Sequence, residues 1–245
     1  MKYLLGVFSA LLIIACGWLY YALGDYSHGY RMGTLSSFER RGYVPFLKSG
    51  EGQLLLGRES SPLAADYTTS DGFRVLKDFN PWRFSVNQGE SPEYEKLIGR
   101  QSWLEYREHR YNLSLLRETP YEAQNAGEIT RAAPAPPVYE VKKPMTLGRS
   151  EGVRAGRLVK VSTKGKVLNT WEIVLQVGDA GNQFKPMSID DEGMYAYAIK
   201  WLKTGNAVNV HYVDKGVMKF DFNDTPYEVW KIEASSAAGP LNPGK

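Results

Sequence analysis

Ser27-His28-Gly29-Tyr30-Arg31-Met32-Gly33-Thr34-Leu35 returns later in the chain as Ser150-Glu151-Gly152-Val153-Arg154-Ala155-Gly156-Arg157-Leu158. The shared pattern is S-x-G-x-R-x-G-x-L, with five residue types at the same spacing. The match continues outward from it. Gly42 corresponds to Gly165, Glu51 to Glu172, Gly57 to Gly178, Ser85-Val86 to Ser188-Ile189, Gly99 to Gly205 and Tyr106 to Tyr212. Thr119-Pro120-Tyr121-Glu122 recurs as Thr225-Pro226-Tyr227-Glu228. Matches at both ends and in the middle predict a duplicated unit, not one recurring motif.

The second unit is the more regular. Residues 156–162 alternate and read as a strand, followed by a turn at 163–166. Strands are expected at 171–177, 184–189, 208–213 and 227–232. Asp190-Asp191-Glu192 opens a helix over 194–203 that ends on a basic residue before Gly205. Its apolar positions 194, 198, 201 and 202 share one face. The order is strand, strand, strand, helix, strand, strand, which is that of the OB-fold. An SH3-like barrel or a split α+β sheet is the alternative. The first unit carries a polar insertion, 58–79, and a helix reduced to a stretch near 92–98.

These readings give a mainly β chain with two tandem OB-like five-stranded barrels behind an N-terminal transmembrane helix. The anchor is expected at 1–25 and the first domain at 26–123. A Pro-rich linker follows at 124–148, then the second domain at 149–233 and a disordered tail at 234–245.

Residues Tyr3 to Leu23 form an uncharged apolar run, long enough as a helix for about 30 Å of hydrocarbon. An uncleaved anchor is the leading reading, with a lipoprotein signal ending at Cys16 and an ordinary cleaved signal as rivals. Lys2 favours an inside N-terminus and an outside C-terminus. The expected location is a bacterial inner membrane, single-pass, with the domains in the periplasm. Arg40 and Arg41 follow the run closely and suit anionic headgroups. Gly6 and Ala10 form a small-xxx-small pair, read as chance. Cys16 is the single cysteine, so no intrachain disulfide forms.

The chain has 30 basic and 27 acidic residues, a net charge of +3. That balance alone does not imply a nucleic-acid partner. Arg154, Arg157, Lys160, Lys164 and Lys166 make a basic hairpin, and Arg157, Lys160, Lys164 and Lys166 with Trp171 are a possible binding surface. Tyr195, Tyr197 and Trp201 fall in the helix and are assigned to packing, which argues against base stacking. His28, His109 and His211 lie far apart, without metal-ligand spacing. No nucleophile elbow, phosphate loop or dinucleotide fingerprint is present. Neither catalysis, a cofactor nor a metal is expected.

The repeated motif itself reads as structural. Gly29, Gly33, Gly152 and Gly156 permit a bulge or close backbone approach. Arg31 is expected to pair with Glu51, and Arg154 with Glu172, as cross-strand ion pairs of each first hairpin.

Residues 150–165 followed by Thr170-Trp171-Glu172 resemble a family of small, uncharacterised, membrane-anchored bacterial proteins. Each has one such unit behind one N-terminal helix, and some carry the label 6-phosphogluconate dehydrogenase, which their short sequences do not support. This chain departs by its duplication, its insertion and Ile173, where the family has glycine. The resemblance implies a membrane-anchored domain without known catalysis. The leading function is a non-enzymatic adaptor or accessory subunit of an envelope complex, with a protein partner. The alternative is a binding module for glycan, lipid headgroup or nucleic acid on an OB-like barrel face.

Overall fold

The structure is a computed structural model. It describes residues 2–22, 24–44, 47–56, 67–68, 74–75, 81–87, 91–112, 117–132, 134, 136–144, 150–165, 170–177, 183–215 and 225–235. Most of the 58–79 insertion, the tail from 236, Gly57, Gly178 and Lys166 lie outside the described residues.

Helix α1 (Lys2–Ala22) precedes the strands β1 (Asp25–Val44), β2 (Leu47–Leu55), β3 (Tyr67–Thr68), β4 (Arg74–Val75) and β5 (Pro81–Val86). Then come α2 (Ser91–Glu95), β6 (Gln101–His109), β7 (Tyr121–Glu128) and β8 (Val138–Glu140). The second half runs β9 (Glu151–Lys164), β10 (Thr170–Val177), β11 (Phe184–Ile189), α3 (Glu192–Thr204), β12 (Ala207–Asp214) and β13 (Tyr227–Ala234). Among the described residues, strands β3 and β4 pair only with each other. Within each half the order is the expected one, three strands, a helix and two strands.

The ladders repeat down to their irregularities. Gly29 pairs with Tyr106 as Gly152 pairs with Tyr212. Glu51 pairs with Ser85 as Glu172 pairs with Ser188. The ladder of β1 with β2 shifts at Ser36, and that of β9 with β10 shifts at the matching residue Val159. The two glycines that end the motif have one explanation. At Gly33 and Gly156 the opening strand leaves the fourth strand of its half and crosses to the second. A Cβ there would stand 2.4 Å from the Leu55 carbonyl oxygen, or 2.0 Å from that of Gln176. Only glycine lets the backbones approach so closely.

The expected pair of separate barrels is corrected. The strands form one 11-stranded mixed sheet, ordered β10-β11-β13-β12-β9-β1-β2-β5-β7-β6 with β8 on β13. Further pairings of β10 with β9 and of β1 with β6 bend each half back on itself. These rings are not barrels. The parallel seam of each is a single residue pair, Ser85 with Glu122 and Ser188 with Glu228. The halves are joined edge to edge, because residues 27–31 of β1 pair antiparallel with 160–164 of β9.

Two cores sit inside the halves. One gathers Leu35, Leu54, Trp82, Phe84, Tyr94, Leu104 and Tyr106. The other gathers Leu158, Val161, Ile173, Met187, Met194, Trp201, Val208 and Ile232, and takes Met32 from β1. Helix α3 supplies much of the second. Asp191 caps it by accepting from the Met194 amide at 2.6 Å, and Gly205 ends it at φ 64°. The segment expected as a linker is tied down instead. Residues 124–128 belong to β7, β8 joins β13, and the Tyr197 hydroxyl donates to the Pro136 carbonyl at 2.7 Å.

Among the described residues no helix is long and apolar enough to cross a membrane. The side chains of α1 are described from Gly6 to Ala22. The expected transmembrane anchor, membrane partner, single-pass topology and periplasmic placement are corrected accordingly. The end of α1 rests on the sheet, where Arg110 lies 3.9 Å from the Tyr21 ring and bonds its hydroxyl at 2.7 Å. Arg40 and Arg41, expected at lipid headgroups, face Glu95 at 2.8 Å and Glu39 at 2.7 Å.

Candidate functional site: an open cation and aromatic mouth

Neither expected arginine–glutamate pair forms. Arg31 pairs across β6 and β9 with Leu104 and Lys160, while Glu51 faces Glu39. Glu39 lies about eight positions further along β1, roughly 26 Å of strand. Arg154 pairs with Val210 and Glu172 with Ser162, the same displacement. The opening strand is too long for its arginine to reach the next strand's carboxylate. Glu51 instead accepts from Ser49 and Ser85, each at 2.8 Å.

The two arginines meet aromatic rings. Arg31 lies 4.6 Å from Trp82, 5.2 Å from Tyr106 and 5.6 Å from Tyr121. Trp82 and Tyr106 are buried, and the three rings also touch edge to face. Burial, and then the Glu108 carboxylate, push the Tyr121 hydroxyl up against the opposing charge of Arg31. This end of the first half is sealed.

At the same end of the second half, the side chains at the positions of Trp82 and Tyr106 are only half-buried among the described residues. Arg154 stands 5.9 Å from Tyr212, and Tyr212 meets Tyr227 edge to face at 5.4 Å. Where the first half has Trp82, the repeat places Lys185, whose ammonium lies 3.3 Å from the Tyr227 ring centroid. All four side chains are half-buried. They come from β9, β11, β12 and β13, on the faces that carry Leu158, Met187 and Val210 inward. A flexible lysine in place of an indole leaves the mouth lined by two cations and two phenol rings. Among the described residues neither Arg154 nor Lys185 has a carboxylate partner. The nearby acids are engaged elsewhere, Asp214 by Ser150 at 3.5 Å and Glu228 by Lys215. Rings with paired cations suit a flat anionic ligand, which stacks on one and neutralises the other.

The surface expected from the basic hairpin is largely satisfied within the chain. Lys160 and Lys164 converge on the buried Glu172 at 3.4 and 2.6 Å. Arg157 donates to the Gly205 carbonyl at the end of α3. Trp171 stacks on Tyr195, their centroids 5.9 Å apart. Sequence reasoning brought Arg154 forward for the wrong contact and missed Lys185, Tyr212 and Tyr227. The signal was present in the repeat, where Lys185 falls at the offset of Trp82. Among the described residues no group of His, Cys, Asp and Glu is arranged to hold a metal.

No family model matches the chain, and no curated protein matches it. Among solved structures it is similar to the single-stranded DNA binding protein from Thermus aquaticus. The wild type is 15% identical, covering 90% of this chain and 97% of that one, with a TM-score of 0.24. A deletion mutant of it covers 89% and 98%, at 15% identity and the same TM-score. A replication protein A heterotrimer bound to single-stranded DNA is 13% identical over 78% of this chain and 45% of that one, TM-score 0.22.

The expectation against nucleic acid as a partner loses its two grounds. It assigned the aromatics to the α3 core and the chain to an envelope. The mouth aromatics are on strands, and the envelope placement has lost its helix. Nothing in the contacts or the comparisons supports an adaptor role in an envelope complex.

Proposed function

We propose that this chain is a non-enzymatic binding module for single-stranded nucleic acid, engaged at the mouth formed by Arg154, Lys185, Tyr212 and Tyr227. One observation carries the reading: two cations without carboxylate partners among the described residues stand against two half-buried aromatic rings. Tyr212 and Tyr227 offer faces for bases, and Arg154 and Lys185 neutralise phosphates. The sealed first half serves as the internal control.

The test is fluorescence anisotropy of a labelled oligothymidylate with the full chain, across a salt series. Arg154→Ala and Lys185→Ala are each expected to weaken binding about tenfold and to reduce the salt slope by about 0.7 per lost phosphate contact. Lys185→Trp, which copies the sealed first half, is expected to abolish binding while the fold persists. Equal binding of a polyphosphate chain without bases would overturn the stacking part of the reading.

A further inference from the structure

The junction between the halves is heterologous. The opening of β1 adds to the far end of β9, in the register Ser27 with Lys164, His28 with Thr163, Gly29 with Ser162, Tyr30 with Val161 and Arg31 with Lys160. Each partner has a counterpart in the other half. The counterpart of the opening of β1 is the opening of β9, Ser150 to Arg154. The counterpart of the end of β9 is the end of β1, Ser37 to Arg41. Among the described residues, β12 alone pairs with Glu151–Ala155, and β2 alone pairs with Ser37–Arg41. Among the described residues one donor edge and one acceptor edge are therefore left over, a template for another strand.

Transposing the intrachain register onto these edges sets Glu151 opposite Arg40, Val153 opposite Phe38, and Gly152 opposite Glu39. The pairs are complementary. Glu151 and Arg40 are opposite charges at 58% and 51% exposure, each now held within its own chain, by Lys143 and by Glu95, so docking exchanges these partners. Val153 is 54% exposed, although it sits in a strand. Its opposite number, Phe38, already packs against the first core and stacks on Tyr94 at 5.8 Å. The three atoms nearest a Cβ on Gly152 belong to the Tyr212 side chain, whereas those nearest a Cβ on Gly29 belong to Val161 and Ser162 of β9.

We infer that a second copy of this chain docks the Glu151–Ala155 edge of β9 onto the Ser37–Arg41 edge of β1, repeating between chains the junction found within one. The contact is head-to-tail, so it propagates instead of closing after one step, unless the rotation makes a ring. It is weaker than the internal junction. Met32 packs against the core that α3 builds, whereas α2 spans only 5 residues and Ala155 stands at the position of Met32. Association is therefore concentration-dependent.

The experiment is sedimentation of the full chain over a concentration series, with mild detergent present to cover the exposed face of α1. Wild type is expected to grow in mass with concentration. Arg40→Glu and Glu151→Arg, each alone, should weaken self-association about tenfold. Mixing the two variants should restore it, since each then offers the other an opposite charge at both edges. Val153→Lys leaves the Arg40–Glu95 pair intact and should weaken association likewise. A wild type that stays monomeric throughout, a mixture no more associated than its components, or a Val153→Lys variant that associates like wild type would overturn the inference.

Discussion

Gly29 lies against Ser162 where the two halves share a ladder. A Cβ on Gly29 would stand 2.6 Å from the Ser162 Cα and 2.2 Å from the Val161 carbonyl oxygen. Backbone atoms have nowhere to retreat. Gly29→Ala is therefore expected to cost about 1–3 kcal/mol. Gly152→Ala should cost less, because the nearest atom is the mobile Tyr212 hydroxyl at 2.9 Å. Urea unfolding of both variants measures the difference, and equal losses would contradict it.

The arginine of the repeat works through rings. A double-mutant cycle between Arg31 and Glu51 should give a coupling below about 0.5 kcal/mol, the level of distant sites. The cycle between Arg31 and Trp82, 4.6 Å apart, should give about 1–2 kcal/mol. A larger coupling to Glu51 than to Trp82 would restore the ion-pair reading.

Each half is fastened at its parallel seam by the same hydroxyl pair. Ser85 and Thr119 meet at 3.1 Å, and Ser188 and Thr225 at 3.0 Å. In both, the threonine hydroxyl donates onward to a tyrosine carbonyl, that of Tyr121 or Tyr227. Ser85→Ala and Ser188→Ala are each expected to destabilise by about 1 kcal/mol, and to add in the double variant because the sites lie in different cores. Chemical denaturation checks both the size and the sum.

Glu122 links stability to pH. Burial by itself would raise its carboxyl. Hydrogen bonds from His109 at 2.7 Å and Asn87 at 2.9 Å, with the charge of Arg117, outweigh burial and hold it below the ordinary 4.5. A carboxyl depressed in the folded state contributes stability above its unfolded pKa and loses it as pH falls through the folded value. The deficit of Glu122→Gln should thus shrink as pH falls below about 4.5. Thermal melts of both proteins across that range decide it. A deficit that grows on acidification would reverse the sign.

Much of the secondary structure was legible. The α3 helix could be read from the acidic Asp191, the apolar face at 194, 198, 201 and 202, and the stop at Gly205, all local features. The strand order followed from alternation and turns. The site was only half legible. Arg154 stood out because the repeat names it, but its partner was misjudged by assuming that adjacent strands pair from their beginnings. The register puts Arg154 and Glu172 far apart along β9, and no local signal in the sequence encodes that displacement. Lys185 was readable only by comparing the halves position by position.

By itself, the sequence determined that the chain is a duplicated, mainly β protein whose halves share one strand order. Alternation, turn residues and glycine positions act over short range, and they recur at fixed offsets. Only the tertiary structure decided that the halves merge into one sheet through β1 and β9, that the mouth residues are more deeply buried in the first half than in the second, and which strand edges remain unpaired among the described residues. The merger depends on contacts between residues more than a hundred positions apart, and the other outcomes on contacts tens of positions apart. There, ladder register and the space left by one side chain, Trp82 or Lys185, determine the result.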